Sequence, residues 1–531
     1  MSKPAAFLIL LPGLLWGQKF LSDDPLEREP APEPVTKAQK NQIGEYYDFF
    51  RATFGKPGER HTPGRVIPSR NVNTLGEVMD GAWYVNRHYR KRMSIPELLR
   101  GPGNDAPPSK QGPWQVTGAK TEGVTPGFTI KDASGRRYLI KFDPLANLEL
   151  STAAEVIGSK FFHALGYHVP ESYIVYFDRN QLEIGPDVTV KEKGRVRPMR
   201  KRDLEEALFA VPRDPKKGYR AVAGGFIKGG LGPFLYEGTR TDDPNDLVPH
   251  EHRRELRGLF VFAAWLGHND IKCLNTLDAI TSDGGISHIR HHLIDFGASL
   301  GSDSFTTKSP RAGYEYLFGW RPAAAQFFSL GLYVPEWARA HNPRFSSVGN
   351  FEYEVFEPEE WKPNYPAAIF DNRLPEDTFW AARQVMWFTE AEIRAIVETG
   401  QYGNAKAAEW LIKCLVERRN KIGRTYLEKV LPLDRFRVEG ERLAFDDLGV
   451  TYGFASRRQY SVRWSRFHND TQAHTPIEGA NGLDLPAGIR QSPNGSYFAA
   501  RITAGDESKS VIVFLRKQGD TATIVGIDRT S

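Results

Sequence analysis

The spacing of hydrophobic positions changes along the chain, and each spacing predicts a different kind of element. Between residues 128 and 142, apolar and polar residues alternate on either side of a polar turn, which predicts a hairpin of two strands. From residue 251 to Gly267, apolar residues recur every three to four positions, which predicts an amphipathic helix. Further strands are predicted at residues 172–177, 219–227, 276–280 and 289–294. We therefore expect mixed α and β structure in this part of the chain.

Short polar motifs predict where other helices begin. Ser94 precedes a short helical segment with a proline in its first turn. T-x-x-E capping boxes open one helix between Thr152 and Glu155 and another at Thr389. A longer helix is predicted from 404 to about 430, with its apolar residues on one side.

Beyond Pro432 the chain alternates again in short segments separated by turn residues. These segments lie at residues 450–455, 460–464, 497–502, 511–515 and 521–527. Short alternating runs of this kind are typical of antiparallel β structure. The predicted fold class is therefore α+β, with residues 433–531 as an appended, small, all-β module of sandwich type. No group of catalytic residues stands out in that module.

The N-terminal region differs from the rest. Lys3 is followed by an apolar run ending at Trp16, which predicts a secretory signal peptide over residues 1–18 and an exported protein, periplasmic or extracellular. The alternative is a buried N-terminal element in a cytoplasmic protein. The run is too short to span a bilayer, and no later segment is apolar enough to do so. Residues 19–43, rich in proline and acidic residues, are predicted to be a solvated linker.

Composition excludes several classes of protein. The 531 residues carry a formal net charge of only +5, and the basic residues are scattered, so nucleic acid is not an expected partner. The chain has two cysteines, Cys273 and Cys414, which exclude a disulfide framework. They are expected to be buried thiols.

The strongest chemical signal is the run from His268 to Asn275, which reads H-x-D-x-K-x-x-N and is followed by D-F-G at Asp295. Phosphoryl transfer from ATP needs a carboxylate that orients the acceptor hydroxyl, and Asp270 is suited to that role. It also needs ligands that hold Mg²⁺ against the phosphates, for which Asn275 and Asp295 are suited. Lys272 is placed to reach a transferred phosphate, whereas His268 is better interpreted as a structural residue.

Residues upstream of this motif are candidates for binding the nucleotide. Lys141 on a strand and Glu155 on the next helix suit a lysine that contacts phosphates and a glutamate that holds it, although Glu155 could instead only cap its helix. Gly123 and Gly127 lie in a loop whose backbone amides could approach phosphates, with a plain hairpin as the alternative. Ile227, where a strand enters a glycine-rich crossover, is a candidate contact for adenine.

Through Lys141, Glu155, the H-x-D-x-K-x-x-N run and D-F-G, residues 114–432 resemble the protein-kinase-like superfamily. The run from Glu251 to Gly258 also resembles a bacterial group of mostly uncharacterised exported proteins. The first resemblance implies that ATP and Mg²⁺, with Mn²⁺ as an alternative ion, bind in a cleft between two lobes. It also implies the catalytic and binding roles given above.

The same resemblance implies a domain organisation. The smaller lobe would cover about 114–228 and the larger lobe about 229–432, with residues 44–113 packed on them as an N-terminal extension. The chain departs from the family pattern, since it lacks the standard glycine loop, lacks A-P-E after D-F-G, and has Asn269 in place of arginine. These departures argue against activation by loop phosphorylation and against the usual peptide docking, but they remove no group that the chemistry needs.

The sequence therefore predicts an ATP- and Mg²⁺-dependent phosphotransferase that moves the γ-phosphate to a hydroxyl of a protein or small molecule. Two alternatives stay open. One is an exported pseudokinase that acts as a binding scaffold, because ATP is scarce outside the cell. The other is transfer of AMP on the same fold, because a sequence does not show how the nucleotide is oriented.

Overall fold

The computed structural model describes residues 17–103, 106–119, 127–192, 195–319 and 334–530. Within these residues the chain forms two compact units. The smaller unit comprises the N-terminal residues up to Leu26, the segment Asn73–Glu77, and the chain from Val430 onward. The larger unit comprises Glu27–Val72 and Val78–Lys429. Gly123 and nearly all of the predicted signal peptide lie outside the described residues.

The larger unit combines β-sheets with a helical part. Its strands are β1 (Trp114–Ala119), β2 (Gly127–Lys131), β3 (Arg137–Phe142), β4 (Ser172–Phe177), β5 (Leu182–Ile184), β6 (Thr189–Glu192), β7 (Arg195–Pro198), β8 (Arg213–Asp214), β9 (Gly218–Gly225), β10 (Gly230–Gly232), β11 (Thr276–Asp283) and β12 (Ile286–Leu293). A seven-stranded mixed sheet has the order β4-β9-β3-β2-β1-β5, with β8 paired to β9. Strands β10, β11 and β12 form a separate sheet, and β6 pairs with β7.

The helices of the larger unit are α1 (Glu45–Phe50), α2 (Ile95–Arg100), α3 (Leu150–Ala164), α4 (Lys201–Phe209), α5 (Arg254–Leu266), α6 (Ala368–Asp371), α7 (Pro375–Trp387), α8 (Glu390–Glu398) and α9 (Ala405–Tyr426). Helices α2 and α8 begin as predicted, since Ser94 and Thr389 each form a capping box. Helix α5 is almost entirely buried and packs against α7 and α9. In the described part of the chain, no helix has both the length and the apolar character needed to cross a membrane.

The seven-stranded sheet has a hydrophobic core on one face because its strands alternate. Tyr138, Ile140 and Phe142 of β3 are buried in that core. Helix α4 covers the core with Leu204 and Leu208. The sequence did not predict this helix.

The smaller unit is rich in β structure. Its strands are β13 (Leu433–Glu439), β14 (Arg442–Asp447), β15 (Ser461–His468), β16 (Ala473–Asn481), β17 (Tyr497–Ala504), β18 (Asp506–Gln518) and β19 (Thr521–Thr530). The order β16-β15-β17-β18-β19 gives a five-stranded antiparallel sheet, and the β13–β14 hairpin shares its core. The predicted α+β class, with a separate β-rich module at the C-terminus, is confirmed.

One predicted strand of this module is wrong. Over residues 450–455 the chain instead continues from a short helix, α10 (Leu448–Thr451), which is followed later by a second one, α11 (Gly488–Gln491). The carboxylate of Asp447 accepts the backbone N–H of Val450 and so caps α10. The cap at Asp447 therefore stabilises a helix where the alternating pattern predicts a strand.

Part of the segment predicted to be a solvated linker is bound to the larger unit. Val35 is buried in a cluster with Leu231 and Ile289. The Val35 N–H donates to the carbonyl of Ser287 at 2.7 Å, and the Asn41 N–H donates to the carbonyl of Leu231 at 2.6 Å. A buried apolar side chain and paired backbone groups hold these residues on β10 and β12, so this part of the segment is not a free tether.

Candidate functional site

Lys141 lies on β3, on the face opposite the hydrophobic core, because successive side chains of a strand point to opposite faces. Its Nζ donates to Glu155 Oε2 at 3.2 Å and to Asp295 Oδ1 at 3.0 Å. Burial acts to lower the pKa of Lys141, but the carboxylates of Asp295 and Glu155 outweigh it and raise the pKa above its usual value. Lys141 is therefore a cation held between α3 and the D-F-G segment.

Helix α3 begins earlier than the sequence suggests, and its start explains the role of Glu155. The carboxylate of Asp143 accepts the backbone N–H groups of Thr152 and Glu149, each at 2.9 Å, and so caps the first turn. The predicted capping box of Thr152 and Glu155 is therefore wrong. Glu155 is buried one turn further along and pairs with Lys141 instead.

The H-x-D-x-K-x-x-N loop follows α5, which ends because Gly267 adopts a left-handed conformation with φ of 61°. The loop leads into the β11–β12 hairpin, and the pairing of these strands brings its two ends together. The N–H of Ile294 donates to the carbonyl of Asn275 at 3.0 Å. Asn275 and Asp295 thus belong to the two ends of one hairpin.

Asn275 also fixes the side chain of Asp270. Its Nδ2 donates to Asp270 Oδ2 at 3.0 Å and to the Asp270 backbone carbonyl at 2.7 Å. Since the amide nitrogen is bonded to Asp270, the Oδ1 atom of Asn275 is the part that can act as an oxygen ligand. One residue therefore both orients the candidate base and offers a metal ligand.

The D-F-G segment combines backbone strain with tight packing. Asp295 has φ of 61°, a conformation that is costly for a residue with a side chain and that concentrates at functional sites. The ring of Phe296 lies 5.0 Å from that of Phe162 on α3 and 5.9 Å from that of His268. His268 Nδ1 donates to the carbonyl of Ala298 at 3.0 Å, and burial lowers its pKa. A neutral, buried His268 matches the structural interpretation.

Lys272 contacts a residue that the sequence did not single out. Its Nζ lies 2.9 Å from Glu45 Oε1 and 3.4 Å from Asp270 Oδ1. Burial acts to lower the pKa of Lys272, but Asp270 and Glu45 raise it overall, so the side chain is a cation. Glu45 begins α1, more than 200 positions earlier in the chain, and no local pattern indicates that it returns to this loop.

Asn364 is a second residue that sequence reasoning missed. Its Nδ2 donates to Asp270 Oδ1 at 3.0 Å. Its Oδ1 accepts from Asn269 Nδ2 at 2.6 Å, and its backbone N–H donates to the carbonyl of Asn269 at 2.7 Å. The only signal was indirect, since Asn364 lies in a long stretch without periodicity, and such stretches are often functional.

These groups line one cavity of about 1450 Å³, which is large enough for a nucleotide and an acceptor. The apolar residues that line it include Leu139, Val222, Ile227, Leu277 and Ile294. The charged and polar residues that line it include Lys141, Glu155, Asp270, Lys272, Asn275 and Asp295. Gly127 lies beside Lys141 in the sheet register, and it is not among the residues that line the cavity.

Metal binding would depend on few protein ligands. Among the described residues, no group of three or more His, Cys, Asp or Glu side chains could hold a metal ion. Asp278, a carboxylate on β11 close to Asn275 in the sequence, is buried and accepts hydrogen bonds from Arg240 Nη1 at 3.0 Å and His291 Nδ1 at 2.7 Å. Asp278 is therefore part of a buried charge network.

Comparisons with known proteins give little beyond this geometry. No protein-family model matches the sequence, and no curated protein matches it. Among solved structures, the chain is similar to the proinflammatory kinase CtkA of Helicobacter pylori, with 13% identity and a TM-score of 0.33, over 61% of this chain and 99% of that chain. A similarity this low carries no argument about activity.

Proposed function

We propose that this protein is a phosphotransferase that uses ATP and Mg²⁺ to phosphorylate a hydroxyl group. The observation that supports the proposal is that two sets of charged and polar side chains line the same cavity. Lys141 with Glu155 and Asp295 forms the first set, and Asp270 with Asn275 forms the second. The sequence predicts the same residues for these two roles, and they come from four separate elements.

The side chains of the first set, together with Asn275 of the second set, suit a nucleotide bound with its metal. Mg²⁺ in such sites usually has one or two protein ligands, with phosphates and water completing its octahedron. The Oδ1 of Asn275 and the carboxylate of Asp295 are oxygen ligands of this kind, and Lys141 supplies a fixed positive charge for the phosphates. Bound Mg-ATP would supply the phosphoryl group and part of the charge neutralisation.

The second set suits an acceptor hydroxyl. Asp270 is only partly exposed, and both of its oxygens receive hydrogen bonds, so the carboxylate has a fixed plane. In the reaction it would accept the proton of the hydroxyl as the oxygen attacks phosphorus. Lys272, a cation 3.4 Å from Asp270 Oδ1, would hold the transferred phosphoryl group.

The proposal is tested by incubating the purified chain with Mg-ATP labelled on the γ-phosphate, beside Asp270→Asn. That variant keeps the size of the side chain but loses the base, and its amide nitrogen can no longer accept one of the two hydrogen bonds from Asn275 and Asn364. We expect label on the protein or on an added acceptor, and a loss of at least about 10²-fold in the variant. Label from the α-phosphate instead would indicate transfer of AMP.

If no label is transferred, a measurement of Mg-ATP binding decides between the remaining interpretations. If no label is transferred but Mg-ATP raises the melting temperature, the protein binds nucleotide without transferring it to the acceptors tried. If neither transfer nor stabilisation occurs, the phosphotransferase proposal is wrong and a binding scaffold takes its place. Lys141→Met serves as the control, since it should remove nucleotide stabilisation.

A further inference from the structure

We infer that Asn364 is a positioning residue for Asp270 and that Asn269 orients Asn364 in turn, an inference that rests on the proposed function. Neither asparagine belongs to the residues assigned to nucleotide, metal or proton transfer above. Both line the cavity, and together with Asp270 they form a chain of hydrogen bonds. This chain, from Asn269 through Asn364 to Asp270, is called the relay below, and it orients side chains without carrying a proton.

The first step of this relay concerns the two oxygens of Asp270. Oδ2 is held by Asn275 at 3.0 Å, and Oδ1 by Asn364 at 3.0 Å. Two amide donors on opposite oxygens fix the plane of the carboxylate, and bonds to a charged acceptor are stronger than neutral ones. Lys272 Nζ also lies 3.4 Å from Oδ1, but its long side chain is a looser restraint.

The second step concerns which end of the Asn364 amide faces Asp270. An amide can present either its oxygen or its nitrogen, and only the nitrogen can donate. Asn269 Nδ2 donates to Asn364 Oδ1 at 2.6 Å, so the oxygen is occupied and the nitrogen is turned to Asp270. Asn269 is itself 4% exposed, and its backbone carbonyl accepts the N–H of Asn364 at 2.7 Å. Asn269, the residue next to Asp270, therefore determines which end of the Asn364 amide faces Asp270.

This relay has a consequence for the proposed reaction. Asn275 and Asn364 hold the two oxygens of Asp270 in one plane, so the carboxylate faces the acceptor hydroxyl in one orientation. Loss of the Asn364 donor would weaken the restraint on Oδ1 and leave the carboxylate less well ordered.

The test uses Asn364→Ala and Asn364→Asp in the full chain, with kcat, KM for ATP and the melting temperature as readouts. We expect Asn364→Ala to lower kcat by about 10- to 100-fold with little change in KM, the scale of a hydrogen bond to a charged group. Asn364→Asp keeps the size of the side chain but its carboxylate cannot donate, so it should lower kcat at least as much. Asn147→Ala, which removes an amide bonded to the carbonyl of Ser346 outside the cavity, should change none of these.

A purely structural role would look different. Both variants would then raise KM and lower the melting temperature together with kcat, and that result, or unchanged kinetics, would overturn the inference. If the unaltered chain transfers no phosphate to the acceptors tried, the relay is judged by the ¹³C NMR signal of the Asp270 carboxyl, assigned with Asp270→Asn. Asn364→Ala should change the chemical shift of that signal, and an unchanged signal would refute the relay.

Discussion

The cavity holds two lysines, each between two carboxylates, but in different surroundings. We call the part around Lys141 the nucleotide end and the part around Lys272 the acceptor end, after the roles proposed for them. At the nucleotide end, Lys141 pairs with Glu155, whose side chain is 7% exposed. At the acceptor end, Lys272 pairs with Glu45, whose side chain is 67% exposed. The first pair joins a strand to a long helix, whereas the second joins a loop to the first residue of a six-residue helix. Glu155 is therefore part of the core and Glu45 lies at the surface, although the two lysines are similarly shielded from solvent.

The largest effect that tests this comparison is on stability. In Lys141→Met the carboxylate of Glu155 would stay buried without its cation, which costs about 3–5 kcal/mol when a buried pair is broken. Burial already raises the pKa of Glu155, so the variant should recover stability at low pH, where this group becomes protonated. Urea unfolding at several pH values measures both effects.

Lys272→Met is the matched control for that prediction. Glu45 would remain in water, and Asp270 would keep its bonds from Asn275 and Asn364, so the loss should be about 1 kcal/mol or less. Equal losses in the two variants would show that the ends of the cavity do not differ as described.

The same contrast explains how far the sequence could predict the site. Lys141, Glu155 and Asp295 are positioned by a strand, a helix and a hairpin, whose patterns are local and readable. The structure brings these three together as the sequence suggests. The predicted start of α3 was wrong because the residue that caps this helix is Asp143. Asp143 lies before the helix, outside the residues that a T-x-x-E pattern covers.

At the acceptor end the sequence predicted less. Glu45 and Asn364 reach Asp270 and Lys272 from segments far away in the chain, and the contacts depend on how irregular segments pack. Side-chain periodicity carries no information about such long-range contacts. The bound part of the linker around Val35 was missed for the same reason, since one apolar residue in a polar stretch does not reveal what it packs against.

A second effect on stability concerns Lys308, which is hydrogen-bonded to Ala298, the residue that follows D-F-G. Lys308 is buried, its Nζ donates to the carbonyl of Ala298 at 2.8 Å, and burial lowers its pKa to about 8. Between that value and the ordinary one near 10.4, the unfolded chain binds more protons than the folded one. Stability should therefore rise with pH across this window, by up to about 1.4 kcal/mol per pH unit. Lys308→Met should lack this rise in thermal unfolding, and an unchanged slope would contradict the assignment.

The smallest predicted effect is the change Glu45→Gln at the acceptor end. Because Glu45 is largely exposed, its pairing with Lys272 is worth at most about 1 kcal/mol, and the free energy of unfolding should hardly change. Lys272 would then be shared with Asp270 alone and would be more available to a phosphoryl group. We expect kcat to rise by up to about five-fold, the factor that corresponds to this energy.

The matched variant at the nucleotide end should have the opposite sign. Glu155→Gln keeps the shape of the side chain but removes the charge that holds Lys141, so kcat should fall rather than rise. Steady-state kinetics with Mg-ATP would compare the two glutamines directly. A fall in kcat for Glu45→Gln as well, with a raised KM for the acceptor, would mean that Glu45 binds the acceptor instead of competing for Lys272.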